Sequence, residues 1–148
     1  MNKKATIILS SFVILIIISV SWIQLSGRTT FGDVLNEKIS ETDEITHIVF
    51  QARIGEILWT RIDDPELINS LIEELSNVSI KKRYGSKNMM LDYEMTIHTQ
   101  SKSYFFNFDE ENFSGNSNDY KVIEGSFVKP LLQLDLEWVT GDEFLGVD

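Results

Sequence analysis

The chain has 148 residues, 13 basic and 23 acidic, with two histidines and no cysteine. Disulfides, thiolate zinc sites and cysteine nucleophiles are therefore excluded. Lys3, Lys4 and Arg28 account for three of the cations, so residues 29–148 carry a formal charge near −13. That balance argues against a nucleic-acid partner, because neutralising phosphates needs clustered Lys and Arg. It also argues against the domain lying flat on an anionic lipid surface.

Residues 1–28 read as a cytoplasmic tip and a membrane anchor. Lys3 and Lys4 are followed by an uncharged stretch from Ala5 to Gly27, apolar from Ala5 through Ile14 to Ile23. About 20 apolar residues in a helix cross a hydrocarbon core of about 30 Å. Trp22 falls where an amphipathic ring suits the headgroup layer. The cation bias keeps Lys3 and Lys4 in the cytoplasm, so the remaining chain is expected outside a cell membrane crossed once. Residues 5–25 then contact the lipid bilayer. The alternative is a signal peptide cleaved after Ser19-Val20-Ser21, which would release a secreted domain.

Residues 29–43 are polar and read as a tether, with room for a short helix around Asp33 to Ile39. The domain proper is expected over 44–135. Ile45 to Ala52 and Ile57 to Ile62 read as strands joined at Gly55. Asp63 or Asp64 can cap a helix that Pro65 opens. Leu67, Ile68, Leu71, Ile72 and Leu75 form its apolar stripe, and Asn77 can end it in a left-handed conformation. Strands are expected at Val78 to Tyr84, Met89 to Thr99, Ser103 to Phe108 and Tyr120 to Ile123. Asp109 to Asp119 reads as a polar loop. Gly125-Ser126 opens a second helix, Phe127 to about Leu134. Residues 136–148 form an acidic and aromatic tail that either folds back or frays. The fold class is α+β: an antiparallel sheet of five to six strands with two helices, in the order ββαββββα.

Four groups of side chains are candidates for chemistry. Asp92, Glu94 and His98 share one strand face, but Glu94 and His98 are roughly 13 Å apart at about 3.3 Å per residue. A hydrolytic site at His98 would need neighbours from other strands, and no Gly-x-Ser-x-Gly elbow is present. A calcium loop can be read from Glu110, with Asn112, Ser114 and Gly115 at positions 3, 5 and 6. Lys121 falls at position 12, where that loop needs a bidentate acid. Trp59, Trp138, Tyr93, Tyr104, Phe105 and Phe106 would line a groove or fill a core. Lys81, Lys82, Arg83 and Lys87 form the one basic cluster, suited to a headgroup, an acidic partner or a solvated turn.

The anchor, the sheet pattern and the run from Trp59 to Ile72, followed by Asn77, resemble small membrane-anchored extracytoplasmic domains of bacilli and related Gram-positive bacteria. Their functions are unknown, so the resemblance carries over no catalytic residue. The expectation is a non-enzymatic module that binds a protein or peptide at the cell surface, without a cofactor. An exposed sheet edge could accept the partner as an added strand. The alternatives are a small-ligand or cation sensor and a hydrolase with a composite site near His98.

Overall fold

The structure is a computed structural model that describes residues 14, 16, 27–40, 42–85, 90–115 and 117–146. Ile14 and Ile16 are helical and exposed. The rest of the proposed anchor, including Ala5 and Ile23, lies outside the described residues, as does Lys87. Among the described residues no helix is long and apolar enough to cross a membrane.

The α+β class and the antiparallel sheet are as expected, but the sheet is larger. Nine strands pair in the order β1-β4-β8-β7-β6-β5-β2-β3-β9. They are β1 (Arg28–Thr30), β2 (Ile45–Ala52), β3 (Leu58–Ile62), β4 (Ser79–Arg83), β5 (Tyr93–Thr99), β6 (Ser103–Phe108), β7 (Asn112–Gly115), β8 (Asn118–Glu124) and β9 (Val139–Thr140). Four helices accompany them among the described residues: α1 (Phe31–Asn36), α2 (Pro65–Ser76), α3 (Val128–Gln133) and α4 (Gly141–Leu145).

Connectivity puts α2 and α3 on one face. The chain leaves β3 near one edge of the sheet and re-enters at β4 near the other, and α2 makes that crossing. It returns from β8 to β9 through α3. Asp64 caps α2 by accepting from the backbone N–H groups of Glu66 and Leu67, while Asp63 turns to Arg61. Ile68, Leu71 and Leu75 are buried against the sheet, with Leu67 and Ile72 partly so. Each fully buried aliphatic side chain contributes about 1.5–3 kcal/mol before entropic costs. Asn77 does not end the helix in a left-handed conformation. Its backbone is right-handed, and its side-chain amide donates to the Glu73 carbonyl instead.

Three expectations are corrected. The segment 29–43, read as a tether with room for a short helix around Asp33 to Ile39, holds that helix two residues earlier and belongs to the fold: it carries most of β1 and all of α1. A Thr30–Asp33 capping box starts α1 and places Phe31, fully buried, in the core. Gly32 lets α1 approach α2, since a Cβ there would lie 3.0 Å from Ser76 Cβ. The Tyr104 hydroxyl donates to Lys38 O and the Thr99 hydroxyl to Asp43, so the segment is tied down along its length. The polar loop Asp109–Asp119 instead contains β7 and the start of β8, with Phe113 fully buried. The strand expected from Met89 begins only at Tyr93, and Met90 is exposed.

The tail folds back. Val139 pairs with Trp59, a Thr140–Glu143 capping box starts α4, and Phe144 stacks on Trp59 at 5.5 Å between ring centroids.

Candidate functional site: the open face of the sheet

Alternation along each strand sends one set of side chains to α1, α2 and α3 and the other set to the opposite face, where α4 covers Trp59, the partner of Gln51. The register aligns the second set into rows. Gln51, Glu94, Asn107, Ser114 and Asp119 are successive cross-strand partners on β2, β5, β6, β7 and β8. A second row runs Arg61, Val49, Thr96, Phe105, and a third runs His47, His98, Ser103.

The first row is knitted by Arg53. Its guanidinium donates to Gln51 and Asn107 and makes an ion pair with Glu94. Glu94, expected from the strand spacing to lie too far from His98 to meet it, is engaged two rows away from it. In the second row Phe105 is 59 % exposed, a large apolar ring standing in a mostly polar field. Of the six aromatics singled out in the sequence, Tyr93, Tyr104 and Phe106 are buried and Trp138 packs against the core. Trp59 lies under Phe144, which leaves Phe105 as the exposed ring of that group.

The third row brings both histidines together, which the sequence did not indicate. His47 and His98 are direct cross-strand partners with rings stacked at 4.2 Å and 9° between planes. Ser103 Oγ lies 2.7 Å from His98 Nδ1, and Thr46 Oγ1 lies 3.0 Å from His47 Nδ1. Burial pushes the pKa of both rings down, and the Arg61 charge adds to it for each. For His47 the neighbouring His98 also lowers it, and Asp63 opposes. Both shifts favour the neutral ring at pH 7.

The sign of the resulting pH dependence is fixed. A histidine whose folded pKa is lowered binds fewer protons folded than unfolded between its folded value and the ordinary 6.5. Its contribution to stability is whole above pH 6.5 and is lost as pH falls through the folded value. We expect stability from urea unfolding to be flat from pH 8 to 7 and to fall toward pH 5. A His47→Gln/His98→Gln chain should flatten that part of the profile. Asp33, Asp43, Asp63 and Glu143, all lowered by hydrogen bonds, add a separate loss that begins below about pH 4.5.

Beside the Ser103–His98 contact, no carboxylate acts on His98 among the described residues. A triad needs a carboxylate holding the imidazole in the right tautomer. Asp63, the acid whose charge acts on His47, is bound by Arg61 at 2.8 and 2.9 Å. The calcium loop is not assembled either. Asn112 Oδ1 accepts from Arg83 and its amide donates to Asp109. Ser114 lies within β7 opposite Asp119, and Lys121 faces Asn112 across the hairpin. Glu110, Asn112 and Ser114 therefore flank or lie on a strand rather than wrapping a central point. Among the described residues no three His, Asp or Glu groups converge on a possible ion. The cleft where α2 meets α3, lined by Glu74, Val78 and Lys129, contains neither histidine.

Comparison with family models, curated proteins and solved structures gives no significant match. The reading of this face therefore rests on its own geometry.

Proposed function

We propose that the chain is a single-pass, membrane-anchored extracytoplasmic module that binds a protein or peptide on the open face of its sheet and performs no catalysis itself. The observation that carries the reading is Phe105, an exposed aromatic ring near the middle of a broad face that the described helices α1, α2 and α3 do not cover. Aromatic anchors surrounded by polar groups are the usual centres of interaction surfaces. Around it stand Asn107, Glu94 and Arg53 on one side and the imidazole pair on the other. These groups supply hydrogen bonds that fix a partner's orientation.

The face, rather than an edge, is the better site. The two edge strands, β1 and β9, are three and two residues long. Short edge strands are one way proteins blunt strand addition. The apolar run from Ala5 to Ile23 supports the anchored placement.

The test is a photo-crosslinking phenylalanine at position 105 of the full-length chain in cells, with the same group at exposed Asn69 on α2 as control. A discrete adduct from 105 and none from 69 is the expected result. A Phe105→Asp chain should then lose at least about 30-fold in capture, the scale of an aromatic hot spot. Its folding stability should stay within about 0.5 kcal/mol of the parent. Indistinguishable adducts from the two positions, or none from 105, would overturn the reading.

A further inference from the structure

The domain is strongly acidic, yet its cations are not spread evenly. Arg28 on β1 is the partner of Lys81 on β4, and Lys81 is the partner of Lys121 on β8. The row continues to Asn112 on β7. Arg83, two residues along β4, projects on the same face and donates to Asn112 Oδ1 at 2.7 Å. Four cations thus meet at one corner of the open face, in a chain whose net charge is −10. Acids border the same corner: Asp119 opposite Arg83, Glu124 opposite Ser79, Asp33 in the cleft that Arg28 and Glu124 line, and Asp109 bonded to Asn112. Lys82, between the other two, turns to the helix side opposite Tyr120, with its ammonium 6.0 Å from the Tyr84 ring centroid. Tyr84 is 85 % exposed and Ile123 on β8 is 40 % exposed. The corner therefore sets cations beside an aliphatic group on the open face, with the Tyr84 ring next to Lys82 on the other side of the strand.

The position of this corner in the chain gives the composition its meaning. The apolar segment ends at Ile23, five residues before Arg28. At no more than about 3.6 Å per residue, β1 begins within about 18 Å of where that segment ends. That is about two Debye lengths at physiological salt. The net charge of residues 29–148 repels an anionic surface, so a domain tethered this closely has one electrostatically favourable orientation: basic corner down, acidic bulk away.

We propose that the corner formed by Arg28, Lys81, Arg83 and Lys121 docks on the anionic lipid surface of the bilayer that anchors the chain, and so orients the open face. The inference rests on the anchored reading above. It also limits the argument from net charge: the domain as a whole is unsuited to an anionic surface, but this corner is suited to one.

The test uses the full chain in lipid nanodiscs, either wholly zwitterionic or rich in phosphatidylglycerol. Because the chain has no cysteine, a single one can carry a fluorophore. Tyr84→Cys reports the corner and Asn69→Cys reports α2, with a quencher attached to the lipid headgroups. Quenching at position 84 is expected in the anionic discs, weak in the zwitterionic ones and lost at high salt, with position 69 unquenched throughout. Lys81→Gln/Lys121→Gln should lower the ratio of docked to free domain by about 25-fold, at about fivefold per surface cation. Equal quenching in both lipids would overturn the proposal, since tether length or apolar contact would then suffice. Absence of quenching in anionic discs that retain the chain would overturn it and leave the anchored reading standing. Failure of the chain to enter discs of either lipid would remove the anchored reading, and the docking with it.

Discussion

A Phe31→Ala chain is expected to lose about 3–5 kcal/mol of folding stability, as large-to-small changes at a buried phenylalanine do. Phe31 is fully buried and is the first residue of α1. Its ring meets Phe106, Phe113 and Phe127 edge-on, each at 5.4 Å between centroids. Each such aromatic pair adds about 0.5–1.5 kcal/mol beyond the area it buries. The helix has six residues, too few to persist without tertiary contacts. Losing the ring therefore loosens α1 and, through it, β1 as well. Domains are stable by only about 5–15 kcal/mol, so the variant should be near the point of unfolding. Urea unfolding followed by tryptophan fluorescence measures the loss, with exposed Phe105→Ala as the comparison. A cost below about 1 kcal/mol would mean that residues 29–43 are a tether after all. For the same reason a fragment beginning at Glu44 is expected not to fold.

How much of this was legible in the sequence depended on how regular each local pattern was. The α2 helix was readable because Asp64, Pro65 and five aliphatic residues all pointed to the same element. Strands β2, β3 and β6 were readable from β-branched and aromatic runs. In the β1–α1 segment a short helix was expected around Asp33 to Ile39, but its start and its burial were not, although Phe31, Val34 and Leu35 fall at i, i+3 and i+4 on one helix face. The Thr30–Asp33 capping box was the signal that could have found it. The site was less legible than the fold. His47 and His98 were each placed on a strand, but nothing in a period of two says which strands are neighbours or in what register. Pairing of β2 with β5 skips three elements of the chain, β3, α2 and β4, and is decided by the tertiary fold. The basic corner was half visible: Lys81 and Arg83 were read together, whereas Arg28 and Lys121 join them only through the pairing of β1 and β8 with β4.

The β7 strand was missed for a different reason, and Gly115→Ala tests the packing that explains it. Its outward residues, Asn112 and Ser114, are polar because that face is open. Its inward residues are Phe113 and a glycine, so a half-buried strand reads as a loop. The glycine is there for space, since its φ is not positive. A Cβ would lie 2.7 Å from Phe106 Cδ1 and 3.4 Å from Phe113 Cζ. The Phe106 ring has little room to retreat, being fully buried and packed against Phe31 and Phe113. Where the backbone is unstrained and space is free, Gly→Ala gains about 0.4–1 kcal/mol by restricting the unfolded chain. Here overpacking should win, for a net loss of about 1–3 kcal/mol in urea unfolding. Phe106→Leu opens space at that contact, so the double variant should cost less than the sum of the single changes. Strict additivity, or an alanine chain as stable as the parent, would mean that the ring can move and that β7 does not rest on the core. The hairpin that carries Asn112 and Lys121 to the basic corner would then lose its footing in the fold.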